Sequence, residues 1–237
     1  MIRAAKAAGL LLAWMALLLA LAAGVYALAS DGDLLAREML SHAPPERTGL
    51  PEAEYAGVGR MTAAYLTGRE PVFQYTFSDA AGDTFLCFQD HEAAHMADCR
   101  DLIRLTGTLR WILGGAVLAL AGAGVILRRG RKAFAGGMLL GLGTAAAAAA
   151  LILIWAAADF DGFFTAFHRL AFTNEGWLLN PGTDLLIRLM PTEFFVALGI
   201  RLLLWPAAGA ATAGLAAGIF LRKKTSTGRR MVNDELC

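Results

Sequence analysis

Residues Phe134 to Ala158 read FAGGMLLGLGTAAAAAALILIWAAA, a run without one charged side chain. As an α-helix it is long enough to cross the hydrocarbon of a bilayer, which takes roughly 20 apolar residues. Three further stretches share this character: Gly9 to Ala29, Trp111 to Leu127, and a last one that starts at Phe194 or Ala197 and ends at Leu221. The Trp111 to Leu127 stretch is short and needs little tilt. The last contains Arg201 and Pro206. Arg201 lies near one end and is expected to snorkel, and Pro206 removes a backbone donor and can kink the helix. Across all 237 residues, 57% are hydrophobic and the mean hydropathy is +0.52, which excludes an ordinary soluble domain. The expected fold is all-α: an integral membrane bundle of four transmembrane helices (9–29, 111–127, 134–158 and 197–221) forming one domain over 1–237. A helical loop region, 30–110, and a second loop with an interfacial or re-entrant segment, 159–193, complete it.

Basic residues orient this bundle. Arg3 and Lys6 precede the first span, and Arg128, Arg129, Arg131 and Lys132 fill the link between the second and third. Arg222, Lys223, Lys224, Arg229 and Arg230 follow the fourth. The positive-inside rule puts all three places in the cytoplasm. Both chain ends are then cytoplasmic, and both long loops lie on the extracytoplasmic side of the membrane. Net charge is +1 and no basic patch stands apart from these topogenic ones, so nothing points to nucleic acid. The first span also has a signal-like basic start and ends in Ala27-Leu28-Ala29, but its apolar run favours a retained anchor. Of three cysteines, Cys87 and Cys99 share the first loop and could pair in an oxidising compartment; Cys237 is placed in the cytoplasm.

Within the first loop, Ser41 to Pro51 reads as a connector, Glu52 to Leu66 has helical spacing, and Val72 to Phe77 alternates like a short strand. Asp90 to Leu105 reads as a helix capped by Asp90, interrupted only at Thr106-Gly107-Thr108 before the second span. In the second loop, Phe160, Phe163, Phe164, Phe167 and Phe172 interleave with His168 and Arg169, as at a headgroup interface. Asn180-Pro181-Gly182-Thr183 is a turn, followed by a helix from Asp184 to Met190 that Pro191 ends.

Chemistry concentrates in these two loops. His95 lies three residues after Glu92 and three before Asp98, so carboxylates flank it on one helix face. Such neighbours orient an imidazole and raise its basicity, suiting acid–base work near neutral pH. The same block, His91-Glu92-Ala93-Ala94-His95, matches the zinc-protease pattern H-E-x-x-H. There two histidines ligate the metal and the glutamate activates its water. That alternative needs a third ligand, for which Asp161, His168 or Glu175 are available, and no extension with a third histidine follows.

Taken together the two blocks resemble the lipoprotein intramolecular transacylases (Lit), four-span bacterial membrane proteins. The first pattern, Phe-x-x-x-Glu-x-x-His-Met-x-Asp-Val, stands here as Phe88, Glu92, His95, Met96 and Asp98, with Cys99 in place of valine. The second stands as Phe167-His168, Phe172, Asn174, Trp177, Asn180-Pro181, Asp184, Leu185-Leu186-Ile187, Met190-Pro191 and Phe194-Phe195. In the resembled pattern the position of His91 is not fixed as histidine, so the zinc match is read as accidental and no metal or other cofactor is expected. What the resemblance implies is an acyltransferase. It moves the acyl chain on the glyceryl sn-2 oxygen of a diacylglyceryl-cysteine lipoprotein N-terminus to the cysteine α-amine, giving an N-acyl lyso-lipoprotein. His168 is assigned as base to the amine, and His95 as the acid or the group polarising the oxyanion. Glu92, Asp98 and Asp184 support them, and Arg169, Asn174, Trp177 and Asn180 bind substrate. The implied partners are that lipid-modified N-terminus and membrane lipid.

Overall fold

The computed structural model describes residues 2–78, 81–126, 130–204, 206, 207, 210, 214 and 215. The fold is all-α and membrane-integral. Three helices among the described residues are long and apolar enough to cross a membrane: α1 (Ile2–Ser30), the greater part of α5 (Asp90–Ile126), and α6 (Arg131–Ala158). The fourth expected span is helical over residues 192–204. Its remainder, the basic positions Arg128, Arg129 and Arg222 to Arg230, and Cys237 lie outside the described residues.

The chain forms two compact units. In the first, the N-terminal part of α1 packs on α6. A Cβ at Gly137 would collide with the Lys6 carbonyl, and one at Gly9 with that of Phe134. These are the close backbone approaches that small residues permit between membrane helices. Gly141 meets Ala13 in the same seam, whereas Gly136 and Gly143 face open space. Trp14 Nε1 donates to Thr144 Oγ1 at 3.2 Å across it.

The second unit holds residues 22–109 and 155–203. It contains α2 (Gly32–His42), α3 (Pro45–Thr48), α4 (Tyr55–Leu66), the early turns of α5, α7 (Phe160–Ala171) and α8 (Leu185–Leu189). An antiparallel hairpin of β1 (Thr76–Ser78) and β2 (Thr84–Leu86) pairs Phe77 with Phe85. Asp31 caps α2 by accepting from the Leu34 amide at 2.9 Å. α2 then packs on α4, where a Cβ at Gly59 would lie 2.7 Å from that of Ala36. Met39, Tyr55, Val58, Phe73, Phe88, Leu189 and Phe194 form the centre of this unit's core. The Tyr55 hydroxyl pins α3 to it through Thr48 Oγ1 at 2.7 Å and the Ala43 carbonyl.

Several expectations change in detail. No break falls at Thr106-Gly107-Thr108: α5 is one helix, because an internal glycine costs only about 1 kcal/mol. The aromatic second loop, expected as an interfacial or re-entrant segment, opens as a regular amphipathic helix, α7, capped by Asp159 on the Gly162 amide. Arg201 has a specific partner that the sequence did not suggest: its Nη2 donates to Glu38 Oε1 at 2.6 Å, and Glu38 is buried. Cys87 and Cys99 are both free thiols.

Candidate active site

The site is assembled by one buried carboxylate. Glu92 occupies the third position of α5, and its Oε2 reaches back to accept the Gln89 amide at 2.7 Å. This is the return arm of a capping box. Gln89 is therefore the cap, since its carbonyl takes the Ala93 amide, and Asp90 is the first helical residue rather than the cap. The other oxygen, Oε1, accepts the Leu186 amide at the start of α8, also at 2.7 Å. One carboxylate thus satisfies donors at two helix starts, whose dipoles favour the negative charge. The expected contact of Glu92 with His95 gives way to these two amides.

Asp184 performs the matching task for the preceding turn. It is buried, and accepts from Thr183 Oγ1 at 2.6 Å, the Asn180 amide at 2.8 Å and His91 Nε2 at 2.9 Å. The Thr183 hydroxyl first, then His91, pull its carboxyl down to about 2. In return the Asp184 carboxylate raises His91 above the ordinary imidazole value.

With α5 and α8 fixed, His95 points into the unit one helical turn beyond His91, and is 8% exposed. This part of α5 carries Asp98, Arg100, Asp101 and Arg104, so it stands clear of the apolar stretch that follows. His168, in the last turn of α7, is 6% exposed. The two rings are 6.1 Å apart between centroids. Aromatic rings enclose the pair: Phe172 lies 5.2 Å from His95 and 5.5 Å from His168. Phe164, at 3.9 Å, and Trp177, at 5.0 Å, also contact the His168 ring.

This apolar cage disfavours the charged imidazole. Burial, and then the neighbouring His168, push His95 down to about 4; Asp98 opposes this weakly. Burial lowers His168 as well, against the pull of the Phe164 carbonyl. Both rings are consequently neutral at pH 7. His168 Nδ1 lies 2.8 Å from the Phe164 carbonyl, which assigns the proton to Nδ1 and leaves Nε2 with its lone pair. His95 Nε2 is 3.5 Å from Cys99 Sγ, while its Nδ1 is buried without a protein partner. Burial drives the Cys99 thiol up to about 12, so it is no thiolate nucleophile.

The other expected residues divide. Asp98 is joined to the site through Asn174, whose Nδ2 donates to Asp98 Oδ2 at 2.9 Å. Asn174 Oδ1 accepts the Gly176 amide and Asn180 Oδ1 the Gly182 amide, each at 2.9 Å, so both side chains also shape turns. Arg169 is exposed on α7. Beside Phe172 an open groove of about 290 Å³ runs between Asp98, Asp101, Leu102 and Leu105 of α5 and Thr173 and Asn174. Sequence reasoning missed Glu38, held by Arg201 and 3.5 Å from His42. The available signal was an acid embedded in the apolar stripe Leu34, Leu35 and Met39.

The zinc-protease geometry does not form from H-E-x-x-H. Glu92 is committed to two backbone amides and His91 to Asp184. Among the described residues no three His, Cys, Asp or Glu side chains converge on one metal position.

The model of the lipoprotein intramolecular transacylase Lit family matches residues 10–195, which takes in α1 to α8 and both histidines. The chain belongs to the Lit family. The fold agrees with the in meso structure of the membrane-integral transacylase Lit from Bacillus cereus, at 18% identity and a TM-score of 0.72, covering 95% of this chain and 100% of that one. Two single-histidine variants of the Bacillus cereus protein are also similar. The arginine variant has 16% identity and a TM-score of 0.67, over 95% of both chains. The alanine variant has 18% identity and a TM-score of 0.66, over 94% of this chain and 96% of that one. No curated protein matches significantly in sequence. As a Lit family member this chain is a membrane acyltransferase.

Proposed function

We propose that the enzyme moves the sn-2 acyl chain of a diacylglyceryl-modified N-terminal cysteine to that cysteine's α-amine. The observation that carries this reading is the neutral, caged His95–His168 pair, with no activated serine or cysteine beside it. An intramolecular shift needs no enzyme nucleophile. The amine and the ester belong to one molecule, and holding them in a near-attack pose can supply roughly 7–11 kcal/mol.

The proton inventory then closes. The neutral amine attacks the sn-2 ester carbonyl, forming the C–N bond and placing negative charge on the carbonyl oxygen. His168 Nε2 takes the proton from the nitrogen as the tetrahedral species forms. The C–O bond to the glyceryl oxygen breaks, and the His168 imidazolium returns the proton to that oxygen. His95, held neutral, serves better as an N–H donor to the oxyanion than as an acid, since a neutral imidazole polarises a carbonyl without giving up its proton. Asp98, Glu92 and Asp184 position these groups. The groove beside Phe172 has carboxylates at one end and Leu102 and Leu105 at the other, matching a lipid-bearing N-terminal amine. Trp177, 5.0 Å from the His168 ring, and the exposed Arg169 contribute to substrate binding.

The membrane spans lie near 9–29, 111–127, 134–158 and 197–221. The clustered basic residues support cytoplasmic ends, with the histidine pair facing the extracytoplasmic side of the cytoplasmic membrane. Expression in a bacterium that makes diacyl lipoproteins tests the reaction. Mass spectrometry of N-terminal peptides should show one acyl chain moved from glycerol to nitrogen; an unmoved chain contradicts the proposal.

A further inference from the structure

A second cavity, of about 240 Å³, shares no lining residue with the groove beside the histidines. Arg47 of α3 and Arg188 of α8 line it, with Pro181, Ile187, Pro191 and Thr192. Each guanidinium spends one donor on a backbone carbonyl: Arg47 Nη1 on His42 at 3.0 Å and Arg188 Nε on Asp184 at 3.2 Å. Neither has an ion-pair partner among the described residues. Asp184, the nearest buried acid, directs its carboxylate to Thr183, Asn180 and His91 instead. Arg47 and Arg188 line one cavity, and each keeps N–H donors beyond its one backbone bond; planar guanidinium forks bind phosphate oxygens in pairs.

Two features of the surroundings add to this. The helical stretch 192–204 starts at the cavity; the Pro191 carbonyl takes the Phe194 and Phe195 amides, which leaves the Thr192 and Glu193 amides at the helix start without an intrahelical acceptor. That stretch carries Phe194, Phe195, Val196, Leu198 and Ile200 and continues into the last apolar run of the sequence. Where the last apolar run enters a bilayer, a cavity at the head of its helix meets lipid headgroups, and Ile187, Pro181 and Pro191 offer walls for the carbon atoms next to a phosphate.

We propose that Arg47 and Arg188 form a binding site for the phosphate group of an anionic phospholipid headgroup. The site is separate from the acyl-transfer site and does not depend on the assignment of that reaction. The test is thermal unfolding of the full-length protein in neutral detergent. Dihexanoyl-phosphatidylglycerol is titrated below its micelle concentration, and inorganic phosphate at matched ionic strength in a parallel series. A saturable stabilisation by the lipid, with little from phosphate, is expected. Arg47→Gln and Arg188→Gln should each weaken the apparent affinity about tenfold, the size of one charge-assisted hydrogen bond, and Arg69→Gln should not. If Arg188→Gln fails to fold, exposed Arg47 carries the comparison. An undiminished lipid response in the arginine variants overturns the site. A full response to inorganic phosphate alone overturns the lipid assignment.

Discussion

The Glu92 carboxylate accepts the Leu186 amide at 2.7 Å across 94 positions of sequence. That bond joins the helix carrying His95 to the loop that follows His168. Glu92 also accepts the Gln89 amide, so it faces two donors and is 0% exposed. A glutamine in its place can accept once but must turn its NH2 toward the second amide. Glu92→Gln should therefore cost nearly as much as Glu92→Ala, about 3 kcal/mol or more, because charged hydrogen bonds are worth about 1.5–3 kcal/mol each. Thermal unfolding of the two variants side by side checks this. A near-native Glu92→Gln contradicts it.

His91 contributes differently. Its ring is half exposed, and its bond to Asp184 is one of three that the carboxylate receives. His91→Arg should keep acyl transfer within about threefold, because Asp184 retains its bonds from Thr183 and Asn180 and a half-exposed partner adds little. Chelators should have no effect on turnover. Loss of activity in either experiment would restore a metal role for the H-E-x-x-H segment.

The buried thiols should be sluggish. Burial raises Cys87 to about 11 and Cys99 to about 12. At pH 8 both should resist maleimide in the folded protein and react once it is denatured, as intact-mass measurement will show. Cys99→Val, which restores the residue usual in the resembled pattern, should leave turnover nearly unchanged. A large loss would mean that the thiol at His95 Nε2 takes part in the chemistry.

The pH dependence follows from two lowered imidazoles. A depressed value keeps the neutral, proton-accepting ring present at lower pH than the ordinary 6.5. Turnover should therefore show no inflection at 6.5. It should rise toward pH 8 as the substrate α-amine, with a value of about 7.7–8.0, loses its proton. The acid limb belongs below 6.5, where His168 takes up its proton. Folding stability should fall over the same side: as pH drops from 6.5 toward about 4, the unfolded chain protonates before the buried His95 does. Rate profiles and unfolding temperatures across pH 4–9 test both signs.

The all-α membrane fold was legible because hydrophobic length is a direct physical requirement of the bilayer, as in residues 134–158. His95 stood out by the flanking Glu92 and Asp98, and His168 as a polar group among Phe164, Phe167 and Phe172; what the structure adds is that the two rings lie 6.1 Å apart. What stayed hidden depends on partners distant in the chain. Glu92 reads as a helix-face neighbour of His95, yet its partner Leu186 is a backbone amide that no side-chain pattern reveals. Arg201 reads as a snorkelling residue, and only the fold brings Glu38, 163 positions away, to meet it at 2.6 Å. Asn174 and Asn180 read as substrate ligands, and each also accepts from an amide two residues on, a local use that asparagine's short side chain offers.

The central claim is that His95 and His168 work as a pair on one lipid-bearing amine. The most direct measurement uses a synthetic diacylglyceryl-cysteine peptide with an isotopically labelled sn-2 chain, converted by purified wild type, His95→Ala and His168→Ala. Wild type should place the label on the α-nitrogen, and each variant should lose at least about 100-fold in rate, the low end for removing an acid–base group. Labelled amide formed at the wild-type rate by either variant, or label that leaves as free fatty acid, would contradict the account.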